Sequence, residues 1–221
     1  LNAQAEALAA QILTLPQEKP LRIALLLPRG EALITGMLAA MLSHAVWINL
    51  DPVQPANRLK TLLAQTGADL IISSCALREQ LDPQRRWAWK TIEDDQFHPA
   101  ALADAPRPFT PPETAYIVTT SGTTGTPKGV LVGSASLCNF IDAMAGVYPQ
   151  NPVLSLCSPA FDAFLIESIC ALLNGRSVVF ADAEAAENPA QLADYIGRHH
   201  IGMLSLTPSR LQAYLRHPAF C

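Results

Sequence analysis

Apolar residues recur along this chain with two periods that take turns, and their alternation predicts the architecture. Leu1, Ala5, Leu8, Ala9 and Ile12 fall on one face of a helix over residues 1–14. Leu21 to Leu27 is apolar except for Arg22, the pattern of a strand covered on both faces in a parallel sheet. After a Pro28-Arg29-Gly30 turn, Leu33, Ile34, Met37, Leu38, Met41 and Leu42 return to helical spacing over Glu31 to Ser43. Ala45 to Leu50 reads as a second strand, stopped by Asp51 and Pro52. Pro55 suits the first turn of a helix carrying Leu59, Leu62 and Leu63, Gly67 ends it, and Leu70 to Ile72 is a third strand. Strand and helix thus alternate as βαβαβ, which implies parallel strands joined by right-handed crossovers.

The rhythm breaks over residues 74–113, where Pro83, Pro99, Pro106, Pro108, Pro111 and Pro112 suggest a linker or surface excursion between two halves. Trp87 and Trp89 within it are expected to pack over a sheet face. Beyond it, Tyr116-Ile117-Val118 and Val130-Leu131-Val132 read as two strands around a tight polar loop. Ser134 can cap a helix to about Val147, and Val153 to Cys157 is a strand. A helix starting at Asp162 presents Leu165, Ile169, Leu172 and Leu173, with Gly175 past its end. Ser177 to Ala181 and Met203 to Leu206 are strands, separated by a helix that starts at Pro189, and Ser209 to Leu215 is a last helix. The fold class is therefore α/β, with mainly parallel sheets flanked by helices in two related subdomains, residues 1–108 and 109–221.

Composition narrows the function classes. A chain of 221 residues, half of them hydrophobic, can bury a large core. A net charge of −4 with the charges interspersed argues against nucleic acid or an anionic membrane as partner. Cys75, Cys138, Cys157, Cys170 and Cys221 are odd in number and never spaced CxxC, which suggests reduced thiols with neither a zinc site nor a disulfide framework. No apolar run approaches membrane-spanning length and no signal peptide opens the chain, so a cytoplasmic location is expected. Adjacent His199 and His200 point apart on a helix and make a poor ligand pair.

The chemistry concentrates in Tyr116 to Val132, YIVTTSGTTGTPKGVLV. Thr119, Thr120, Ser121, Thr123, Thr124 and Thr126 offer hydroxyl donors, and Gly122, Gly125 and Gly129 can take positive φ and let backbone amides approach a ligand. Lys128 is one of only four lysines, so its charge beside this cluster is not a by-product of a basic surface. A polyphosphate is the expected guest. The P-loop pattern fails here: counted from Gly122, Pro127 stands where its second glycine belongs, and Gly129 replaces its magnesium-binding hydroxyl. A P-loop also opens a helix, whereas Val130 to Val132 continue as strand. The plainer reading is a polar hairpin tip.

TSGTTGTPKG closely resembles the phosphate-loop signature of the adenylate-forming enzymes, which include nonribosomal peptide synthetase adenylation domains, acyl- and aryl-CoA ligases and luciferases. VWINLDPVQPANRLKTLLAQTGADLII and LNAQAEALAAQI resemble early core regions of the adenylation domains, although Ser43, His44 and Ala45 fill the place of a usual glycine. FDAFLIESICALLNG resembles a later core motif, with Phe164 where a serine is common. The resemblance implies that Thr120, Ser121, Gly122, Thr123, Thr124, Gly125 and Lys128 hold the β- and γ-phosphates of ATP. It also implies that Asp162, after Phe161, binds a substrate ammonium, with Ala163, Ile166 and Ser205 lining the pocket. Physically, a zwitterion entering an apolar pocket needs that partner, because an unpaired buried charge costs several kcal/mol. From the residues alone, Asp162 reads equally as a helix N-cap.

The implied function is activation of an amino acid with ATP to aminoacyl-AMP and pyrophosphate, then loading onto the phosphopantetheine thiol of a carrier-protein domain. Other synthetase modules are the implied partners, in secondary metabolite biosynthesis. By the same resemblance, the Mg2+ ligand, a ribose-binding aspartate and the catalytic lysine lie downstream of Cys221 and the opening residues upstream of Leu1. No catalytic or metal residue is expected within the chain, which alone should be inactive. The alternatives are a ligase for an acyl or aryl acid, which needs no ammonium partner, and a degenerate adenylation-like scaffold module.

Overall fold

The unbroken apolar runs near the start of the chain become central strands because both of their faces are covered. In the computed structural model, which describes residues 1–16, 18–91, 112–120 and 127–220, β1 (Arg22–Leu26), β2 (Val46–Leu50) and β3 (Leu70–Ser73) pair in parallel and are buried almost throughout. On one face Ala24, Leu26, Ile48, Leu50 and Ile71 pack with Leu59, Leu62 and Leu63 of α3 (Ala56–Thr66). The alternate residues Ile23 and Leu25 are equally buried, as are Leu8 and Ile12 of α1 (Asn2–Leu13) and Leu33, Ile34 and Met37 of α2 (Glu31–Leu42). Gly67 closes α3 with φ 62°, the left-handed conformation that favours glycine at a helix end.

The linker expected at residue 74 begins later than the prolines suggest. Residues 75–91 form α4 (Cys75–Leu81), capped by Ser74, and β4 (Ala88–Thr91), which adds in parallel to β3. The reason is Asp82, whose side chain is fully buried and accepts hydrogen bonds from the Arg86 and Trp87 amides and the Trp89 indole, each at 2.9 Å. Burial alone would raise its pKa, but these donors outweigh burial and hold it below the usual carboxylate value. Trp87 and Trp89 pack half-buried against the sheet's core, as expected. The remaining linker residues, 92–111, lie outside the described set.

β5 (Thr114–Thr120) joins β2 in parallel, with Trp47 and Tyr116 stacked at 5.4 Å, and β6 (Lys128–Gly133) runs antiparallel to β5. The sheet order is β4-β3-β1-β2-β5-β6. The hairpin therefore extends the first sheet, and the chain divides into compact units at Leu1–Leu137 and Cys138–Cys221, a different place from the 108/109 division expected above. Ser134, expected as a cap, is the first residue of α5 (Ser134–Met144), and its hydroxyl donates to the Pro112 carbonyl.

The second unit is built on three parallel strands, β7 (Val153–Ser155) in the centre with β8 (Val178–Phe180) and β9 (Met203–Leu204) on either side. Leu154 and Leu156 pack with Leu192 of α9 (Pro189–Arg198) and Tyr214 of α10 (Pro208–Leu215), and α9 and α10 carry side-chain caps from Asn188 and Thr207. A short helix unforeseen in the sequence, α8 (Ala183–Glu187), is capped by Asp182. The single helix expected after Asp162 is two, α6 (Ala163–Ile166) and α7 (Ile169–Leu173), broken at Glu167-Ser168. The strand expected over 153–157 also stops early, at Ser155. One cause serves both departures, because Glu167 turns its carboxylate to the Leu156 and Cys157 amides.

Candidate functional site

Two places collect the expected site residues, one in each unit. In the first, the ladder of β5 and β6 sets Thr120 directly opposite Lys128 at the loop end of the hairpin, and both residues are exposed. Ser121, Gly122, Thr123, Thr124 and Gly125 connect them and lie outside the described residues. A hydroxyl and an ammonium facing each other across the mouth of a seven-residue connection form a donor pair suited to an anion. Gly129 plays a different part from the one its neighbours suggested. It takes no positive φ; it pairs with Thr119 inside β6, and a Cβ there would sit 3.0 Å from the Ile117 methyl carbon Cγ2. Its use is close packing of the hairpin stem.

In the second unit, β7 leads to β8 on one side and β8 returns to β9 on the other. Such a reversal of strand order opens a crevice beyond the carboxyl ends of the strands, the common ligand position in open α/β sheets. The residues after β7 and β9 border it. Phe161 is 62% exposed, Asp162 is exposed, and Ala163 and Ile166 of α6 are half-buried. Ser205, also half-buried, follows Leu204, which is abreast of Leu154 in β7. Phe164 is completely buried and is therefore core, not lining. Asp162 does act as a cap, yet a slight one: Oδ1 accepts from the next amide, Ala163, at 2.8 Å, and its own backbone is already helical. A full cap reaches the second or third amide of the helix.

The sequence reading passed over Glu167. Its residue is completely buried, and Oε2 accepts from the Leu156 and Cys157 amides, both at 2.7 Å. A lone carboxylate inside the apolar run Phe164 to Leu173 was the visible signal. Tyr148 adds a second tie, its buried hydroxyl donating to the Ile166 carbonyl at 2.7 Å, and burial raises its pKa. The Cys157 thiol shows the field at this end of β7. Burial raises its pKa first, the negative charges of Glu167 and Asp162 raise it further, and the Ser158 amide and Arg210 pull the other way. Burial, the largest of these effects, disfavours charge of either sign, and the two carboxylates add a negative potential to it. Among the described residues no group of three His, Cys, Asp or Glu side chains could hold a metal ion.

A family model described as AMP-binding enzyme matches residues 1–221. The chain belongs to the AMP-binding enzyme family. Delta-poly-L-ornithine synthetase of Acinetobacter baumannii (strain AB307-0294) is 30% identical over 217 residues, covering 96% of this chain and 16% of that protein. Among solved structures, a four-domain nonribosomal peptide synthetase bound to AMP and glycine superposes with a TM-score of 0.83 at 25% identity, over 98% of this chain and 16% of that one. The o-succinylbenzoate CoA synthetase of Bacillus subtilis, in complex with an acyl-adenylate intermediate, shares the fold, with a TM-score of 0.79 at 18% identity over 98% of this chain and 57% of that one. The chain spans between 4% and 16% of the length of the curated relatives it matches first.

Proposed function

We propose that this chain is the front part of an amino acid adenylation domain in a nonribosomal peptide synthetase, activating an amino acid with ATP for transfer to a carrier-protein thiol. The observation that carries this reading is Asp162: an exposed carboxylate whose side chain makes one local hydrogen bond, at the crevice end of β7. An acyl or aryl acid would find no use for that charge, whereas an amino acid brings an ammonium to meet it. Similarity to a synthetase bound to AMP and glycine supports the same choice over a CoA ligase.

In the proposed reaction a substrate carboxylate oxygen bonds to the α-phosphorus of ATP, the bond from that phosphorus to the bridging oxygen breaks, and pyrophosphate leaves with the electron pair. Thr120, Lys128 and the connection Ser121, Gly122, Thr123, Thr124 and Gly125 hold the β- and γ-phosphates. Their role is electrostatic, stabilising charge on the departing oxygens. Asp162 fixes the amino end, and Phe161, Ala163, Ile166 and Ser205 border the side-chain pocket, whose small and apolar members suit an apolar substrate. Mg2+ and the phosphopantetheine arm of the carrier domain are supplied from outside the described residues. No described helix is long and apolar enough to cross a membrane.

The test is pyrophosphate exchange into ATP by the parent synthetase, with amino acids compared against fatty and aromatic acids. Amino-acid-dependent exchange, weakened by Lys128→Ala through a raised KM for ATP, is the expected result. Exchange only with non-amino acids would establish the ligase reading, and absence of ATP binding would establish the scaffold.

A further inference from the structure

The segment carrying Asp162 is held at its root by a residue with no part in the reaction as described. Leu156 and Cys157 follow β7 directly, but their amides donate to Glu167 Oε2 in place of a strand neighbour. Glu167 itself stands at the break between α6 and α7, four residues past Ala163 and one past Ile166. Its carboxylate therefore closes a loop whose two ends are β7 and the helix junction, and whose contents are Ser158, Pro159, Ala160, Phe161, Asp162 and α6. Tyr148 pins the same junction from another side through the Ile166 carbonyl. Asp162 itself makes only short-range bonds among the described residues, its Oδ1 accepting from the Ala163 amide and its carbonyl from the Leu165 amide.

We propose that Glu167 is a positioning residue that sets where Asp162 presents its carboxylate to the substrate ammonium. The inference rests on the adenylation reading above for its kinetic consequence, though not for its geometry. The essential property is reach: one oxygen must span to two amides 10 and 11 residues back. An amide oxygen at the same reach does this without charge, whereas a carboxylate one methylene shorter does not.

The experiment compares Glu167→Ala, Glu167→Asp and Glu167→Gln in the parent synthetase, reading KM for the amino acid, KM for ATP and amide hydrogen exchange of Leu156 and Cys157. With both amide donors released, Ala and Asp are expected to raise the amino acid KM roughly tenfold and to speed exchange at both amides, with ATP KM within about twofold of wild type. Gln is expected to stay within about threefold on the amino acid. If Ala does not fold, the order Gln milder than Asp still decides. Asp milder than Gln, an equal rise in both KM values, or unchanged exchange at Leu156 and Cys157 would each overturn the proposal. A wild type that activates no amino acid would remove the ammonium reading, and amide exchange alone would then keep or overturn the tie itself.

Discussion

Asp82 and Glu167 are two buried carboxylates, each accepting backbone N–H bonds, and they sit in different units with different consequences. Asp82 gathers donors four to seven residues ahead of it and so folds a tight loop onto its own helix end. What that loop carries is β4, the outer strand of the first sheet. Glu167 reaches back across 10 and 11 residues, and what it encloses is the segment with Asp162. The chemistry of the anchor is the same in both. A buried charge marks where the chain must be fixed, and its relevance to function depends on what the fixed segment holds.

The comparison breaks if the two anchors trade effects. Asp82→Ala strands three part-buried donors and is expected to cost about 3 kcal/mol of stability while leaving the amino acid KM unchanged, as read by denaturant melts and exchange kinetics. The Glu167 substitutions should give the converse, a kinetic effect selective for the amino acid. Tyr148→Phe sharpens the contrast. It removes the other tie to the α6 end and is expected to cost about 1 kcal/mol with a smaller rise in amino acid KM than Glu167→Ala. The smallest effect is a pH dependence. Since the folded pKa of Asp82 is lowered, its stabilisation is full above the unfolded carboxylate value of about 4 and is lost as pH falls through the folded one. Wild type should therefore lose stability below about pH 4 more steeply than Asp82→Asn, and parallel acid melts would disprove that assignment.

The parts of the fold that the sequence disclosed were those with a clear period or a clear stop. Runs such as Val46 to Leu50 are buried on both faces, and Gly67 ends a helix in the left-handed conformation that favours glycine, so pattern and structure agree. The departures share a cause invisible to periodicity, a side chain bonding to distant backbone. Asp82 turns a proline-bearing stretch into helix and strand, and Glu167 cuts both a strand and a helix short of their apolar limits. At the site, the motifs singled out Thr120, Lys128 and Asp162, and the structure sets Thr120 opposite Lys128 and Asp162 beyond β7. Glu167 escaped because a charge at helical spacing reads as a surface residue until its burial is known.

The central claim is that Asp162 selects for an ammonium. The most direct measurement is the kcat/KM of adenylation by the parent synthetase for its best amino acid and for the same acid lacking the amino group, in wild type and Asp162→Ala. Loss of a desolvated ion pair predicts that wild type prefers the amino acid by roughly a hundredfold and that Asp162→Ala erases most of that preference. An equal preference in both proteins would contradict the account.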